Sequence, residues 1–174
     1  MVATGLMYGF YLLSVWLHIL AAITWIGGIA FLVFVVVPWL RRSDRTIAVT
    51  FLRETGERFR AVGWICFAIL LVTGTYNLWF RGVRFGDFVR ADWLQSTFGK
   101  AVMLKLALFV VVLIVSAIHD IAIGPRAAHA MEHQPGSAQA EALRRQASLL
   151  GRFNALLALA LVAAGVVIVR GWPW

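Results

Sequence analysis

An all-α membrane protein, built as a bundle of four transmembrane helices, is the fold class this sequence predicts. Three observations predict it. The 174 residues are 61% hydrophobic with a mean hydropathy of +0.84, against about 45–50% apolar in soluble domains. Four uninterrupted apolar runs are each long enough to cross about 30 Å of hydrocarbon. The arginines fall in the short stretches between those runs. A net charge of +8 would point to nucleic acid in a soluble protein. Here the expected partner is the anionic headgroup layer of a lipid bilayer, with no nucleic acid.

The expected spans are roughly 9–37, 61–80, 101–123 and 153–170, forming one transmembrane domain over 1–174. The first run is longer than a span needs, so it tilts or protrudes. Its end, "VPWLRR" at 37–42, combines a proline, an interfacial tryptophan and two arginines. No positive n-region precedes it, so it reads as a permanent span and not a cleaved leader. The single cysteine, Cys66, lies inside the second run and permits no intrachain disulfide.

Between spans two and three, "FGDFVRADWLQSTFGK" (85–100) mixes aromatics and charge, as expected of a segment lying in the membrane interface. Gly124-Pro125 is expected to stop the third helix. "QPGS" at 134–137 reads as a turn, and Ser137 as the cap of a helix that continues into span four. A short echo, "RFRA" at 58–61 and "RFNA" at 152–155, opens spans two and four. It fits either two parallel helical-hairpin halves or two ordinary arginine anchors.

Basic residues orient the chain. Loop one carries Arg41, Arg42, Arg45, Arg53, Arg58 and Arg60, and loop three carries Arg126, Arg144, Arg145 and Arg152. The opposite side carries Arg81, Arg84, Arg90, Lys100 and Arg170. Ten against five places loops one and three in the cytoplasm and both termini outside.

Ionisable groups inside hydrocarbon cost about 2.5–3.5 kcal/mol at mid-helix, which makes them functional candidates. His18 and Lys105 fall in the outer half, and His119 in the inner half. Lys105 and His119 share a helix face but lie about 21 Å apart along the axis, too far to share a ligand. The same depth argument keeps His18 and His119 from ligating the two sides of one haem. Ala22, Trp25 and Gly28 follow His18 at helical spacing, offering small residues and a stacking wall to a flat cofactor. Thr73, Thr75, Tyr76 and Asn77 approach from span two, while span three presents Lys105, Val112, Ser116 and His119 along one stripe. The bland alternatives are that His18 hydrogen-bonds a neighbouring helix and Lys105 snorkels to the interface. His129 and His133 are four residues apart and suit copper or zinc, or simply decorate a solvated helix. With only four methionines, the chain lacks the soft-ligand run of a dedicated Cu(I) conduit.

Three stretches resemble the copper-resistance protein D (CopD) family of bacterial membrane proteins. They are "WLHILAAITWIGGIAFLVFVVVPWL", "RFRAVGWICFAILLVTGTYNLW" and "FGKAVMLKLALFVVVL". His18, Trp25, Gly27-Gly28, Thr73-Gly74 and Lys105 are its specific part. The resemblance implies a polytopic inner-membrane protein linked to copper, here reduced to a four-span core. A second resemblance, to the HemJ-type membrane protoporphyrinogen oxidases, rests on His18 with its following "WxxG" and on Lys105. It implies a haem or porphyrin site at His18.

The leading expectation is therefore a CopD-like protein handling copper or another redox metal. Its outer site uses His18 beside Trp25, Gly28 and Lys105, and His119, His129 and His133 stand further along as metal ligands. The alternative is a haem b redox protein with His18 as axial ligand, which would make electron transport its task. A third is a membrane anchor for periplasmic or membrane redox partner subunits, using small-residue faces such as Gly5-xxx-Gly9 and Ala160-xxx-Ala164. No catalytic residue is assigned and enzymatic activity is left open. "GVRFG" lacks the Gly-Lys-Ser/Thr end of a phosphate loop.

Overall fold

Backbone N–H and C=O groups in hydrocarbon must pair within their own segment, so apolar runs of this length become helices. The computed structural model describes residues 2–40, 42 and 44–171. Helix α1 (Val2–Phe31) continues through a π turn, Leu32–Val36, into Val37–Leu40. Helix α2 is Arg45–Phe80. A 3-10 segment (Phe85–Val89) and a one-turn helix (Ala91–Gln95) lead to α3, Thr97–Ala117. A second π turn, Ile118–Ile123, joins α3 to α4, Gly124–His133. Helix α5 runs Ala138–Arg170 and ends at Gly171, whose φ of +83° suits glycine. Four continuous helical rods are thus long and apolar enough to cross a membrane, and the chain is an all-α, four-helix membrane bundle.

The rods overrun the expected spans because the polar loops near 45–60 and 138–152 are also helical. Ser137 caps α5 as expected, its Oγ accepting from Ala140 N at 3.1 Å. One expectation is corrected: Gly124-Pro125 does not stop the third helix. Gly124 N–H bonds to His119 O, five residues back. The wider turn relieves the clash between a proline ring and the carbonyl of the turn before it. Pro125 then sits in the first turn of α4, where its missing N–H costs nothing. Pro38 uses the same device, with Val37 N–H bonding to Leu32 O.

Helix α1 packs along α2, and α3 along α5, giving two hairpins. Their shared core is Ala21, Trp25, Cys66, Phe67, Leu70, Val112, Val115, Leu157 and Ala158, drawn from all four rods. The outward surface is apolar, including Trp16, Ile65, Val72, Val110 and Leu156, as lipid contact requires.

The hairpins repeat one another in burial. Lys105 follows His18 by 87 residues, and Pro125 follows Pro38 by the same 87. At that offset Ser14 and Ala101, Trp25 and Val112, and Leu40 and Ala127 are buried in pairs. Between α2 and α5 the matching offset is 91: Cys66 with Leu157, Phe67 with Ala158, Thr73 with Ala164. The "RFRA"/"RFNA" echo has an offset of 94, and its members are not equivalent. Phe59 packs over Gly28, whereas Phe153 is exposed.

Candidate functional site

Two polar levels lie along the bundle, separated by the aromatic core. The first is near the end where α2 and α5 finish and α3 begins. His18 turns inward from α1, and its Nδ1 lies 2.8 Å from Thr73 Oγ1 on α2. The Thr73 hydroxyl has one hydrogen, and it is donated to Ile69 O at 2.5 Å. Toward the imidazole Thr73 is therefore an acceptor, so Nδ1 carries the proton and Nε2 keeps its lone pair. Ser14, one turn before His18, donates to Thr73 O at 3.4 Å. The ring packs against α2 at Gly74, where a Cβ would come within 3.3 Å of His18 Cε1.

Lys105 occupies the matching place on α3. Its Nζ would stand 3.5 Å from a Cβ at Gly165 of α5. It is close enough to His18, and to Arg81 at the end of α2, for the charges to interact. Among the described residues it makes no hydrogen bond or ion pair. One turn beyond Thr73, the Asn77 side-chain oxygen is buried without a partner.

Trp25 lies seven residues from His18, about 10.5 Å along the helix axis. Its ring packs edge-on against Phe67 at 4.9 Å and covers Gly63. Gly28 lies beneath the Phe59 ring, where a Cβ would collide with it. Both residues close the bundle between the two levels. With Val112 fully buried and Trp25 only 3% exposed, the aromatic layer seals the centre.

The second level is at His119, 14 residues along the α3 rod from Lys105 and about 21 Å away. His119 Nδ1 donates to Asp120 Oδ1 at 3.0 Å, and Trp64 Nε1 donates to Asp120 Oδ2 at 3.2 Å. The bridging carboxylate fixes the His119 tautomer and leaves Nε2 as the free donor atom. Deeper in, Asn154 donates to Ser116 at 3.0 Å while its own oxygen is buried and unpartnered. Ser14, Trp64, Asp120 and Asn154 were not singled out from the sequence. Ser14 is readable there, being four residues before His18 on the same helix face. The others depend on which helices meet.

His129 and His133 sit on α4 with rings stacked at 4.1 Å and 14°. His133 Nδ1 donates to His129 O at 3.0 Å. Nearly parallel rings hold their lone pairs in separate planes, so in this arrangement they do not converge on one ion. They line an open groove with Arg126 and Gln139, and Glu132 between them pairs with Arg53 at 3.4 Å. No group of three or more His, Cys, Asp or Glu side chains among the described residues forms a closed metal cage.

The model of the family described as copper resistance protein D matches residues 53–170. The chain belongs to the CopD family. It is thus a multi-pass membrane protein of a copper-linked family. An uncharacterised protein of Aquifex aeolicus (strain VF5) is 31% identical over 161 residues, 92% of this chain and 96% of that one. "Copper transport protein CutJ" of Bacillus subtilis (strain 168) is 33% identical over 103 residues. That match covers 59% of this CopD-family chain but only 17% of CutJ. No solved structure matches.

Proposed function

We propose that this CopD-family protein handles copper in the bacterial inner membrane, with its entry site at His18 and a receiving site at His119. The observation that carries this reading is the pair of histidines with fixed tautomers, one on each side of the sealed core. Each has Nδ1 engaged and Nε2 available as a metal donor. The relative named as a copper transport protein supports copper as the cargo. Asp120 supports His119 as the receiving side, because a carboxylate beside a ligating imidazole favours a bound cation. His129 and His133 would take the ion onward only after a rotamer change that brings their free nitrogens together.

As placed, one imidazole at the first level does not complete a copper coordination sphere. The Trp25–Phe67 layer then acts as the closed barrier between the levels. The test is metal analysis and a visible spectrum on one purified sample. Stoichiometric copper that falls in His18→Ala, with helicity preserved, is the expected result. Copper unaffected by His18→Ala would overturn the entry site. Iron with a Soret band lost in the same variant would establish the haem b alternative instead.

A further inference from the structure

Helix α4 has two unlike faces. Ala127 and Ala130 are buried on one, and Ala140 is buried in the first turn of α5, against which α4 packs. Small residues let the two helices approach closely. Beside this contact runs an open groove of about 800 Å³. Arg126, His129 and His133 line it from α4, where steps of three and four residues put them on one helix face. Gln134 and Gln139 line it from the turn and from α5.

The lining is rich in hydrogen-bond donors and holds no carboxylate. Glu132 is held by Arg53 at 3.4 Å and Glu141 by Arg144 at 2.9 Å. Both nearby acidic groups are thus engaged by other arginines. Among the described residues, Arg126 makes no hydrogen bond or ion pair. The His129 ring has no hydrogen-bond partner there either. The stacking that keeps the two imidazoles from sharing an ion leaves the His129 N–H able to donate. Depth then identifies the source of an anion. The third apolar run ends at residue 123, and Arg126 stands about 4.5 Å beyond it along the axis. The headgroup layer is about 5–7 Å thick on each side of the hydrocarbon. The groove therefore opens at the level of lipid phosphates.

We propose that this groove binds the phosphate of an anionic lipid. Arg126 pairs with the phosphate oxygens as a two-pronged donor, and His129, Gln134 and Gln139 donate to the phosphate or to the headgroup hydroxyls beyond it. The volume exceeds what a bare phosphate fills and admits a whole polar headgroup. The site does not depend on the copper reading.

The test uses the full chain in nanodiscs of phosphatidylcholine and phosphatidylglycerol in equal parts, with the lipid retained on release counted by native mass spectrometry. Wild type should keep phosphatidylglycerol in preference to phosphatidylcholine. Arg126→Gln should lower that preference about fivefold, and Arg126→Lys should keep most of it. Arg145 is also exposed, on α5, and lies outside the groove, so Arg145→Gln should change nothing. Gln139→Leu, which keeps every charge, should weaken the preference severalfold and stands in if Arg126→Gln is not fully helical. Equal losses in the two arginine variants would reduce the effect to general surface attraction and overturn the site. No preference in wild type overturns it as well. Glycerol phosphate or a labelled polyglutamate peptide is then offered to the protein in phosphatidylcholine alone. Binding of either that depends on Arg126 and displaces phosphatidylglycerol would give the groove to a soluble phosphate or an acidic partner, and overturn the lipid assignment.

Discussion

His18 has its chemistry set by a single hydroxyl. Thr73 gives its proton to its own helix and so must accept from the imidazole. Thr73→Val keeps the shape and removes the acceptor. A lost hydrogen bond of this kind costs about 1 kcal/mol. Copper affinity should fall by about tenfold or more, as when the outer partner of a ligating histidine is removed, with helicity unchanged. Titration of the purified variant checks it, and unaltered affinity would remove Thr73 from the site. The two glycines beneath His18 and Lys105 make a paired test. Gly74→Ala puts a methyl 3.3 Å from a rigid ring, whereas Gly165→Ala puts one 3.5 Å from the end of a flexible chain. The first should weaken copper binding severalfold. The second should leave the thermal midpoint and copper binding nearly unchanged, and equal effects would contradict the placement of the ring.

Caps and turns decide where the rods begin and bend. Ser96 Oγ accepts from Gly99 N at 3.0 Å, and Ser137 Oγ from Ala140 N at 3.1 Å. Ser137→Ala should cost about 1 kcal/mol of stability, seen as a lower unfolding midpoint and faster amide exchange in the first turn of α5. No change at those amides would show the cap to be idle. The segment joining α2 to α3 is held by Arg90, which pairs with Asp87 at 3.2 Å and with Asp92. Hydrogen bonding from Arg90 keeps the Asp92 carboxyl below its usual range, and the same pair raises Arg90. A depressed carboxyl stabilises the folded segment above its ordinary pKa of 3.8. That contribution is lost as pH falls through the lower folded value. Both side chains are exposed, so the effect should be small and confined to this segment. The protection factors of the amides at 87–92, taken against the intrinsic exchange rate at each pH, should fall on acidification below about pH 4 while the spans stay protected. An Asp92→Asn variant with the same acid response would refute the assignment.

Across the assembled protein, the arginine distribution predicts an orientation. On a Cys66→Ser background, cysteine placed at position 87 should react with an impermeant reagent added outside, and cysteine at position 45 should not. The reverse pattern would invert the bundle and exchange entry with exit. Four spans, a basic pair of loops, the Ser137 cap and the inward histidine were all legible in the chain. Composition, run length and the cost of unpaired polar groups in lipid act on each segment alone. The path of the third helix through Pro125 was not legible. Helix-breaking by proline is a local rule, and a π turn, stabilised by the packing around it, sets that rule aside. Depth put His18 level with Lys105 and the Thr73–Asn77 end of span two, but periodicity could not show that Thr73 is the partner its ring bonds, nor that Trp25 and Gly28 seal the bundle. Which faces meet depends on how two hairpins, offset by 87 and 91 residues, fit their ridges together. Depth along one helix is written in its sequence. Neighbours across helices arise only when the helices pack.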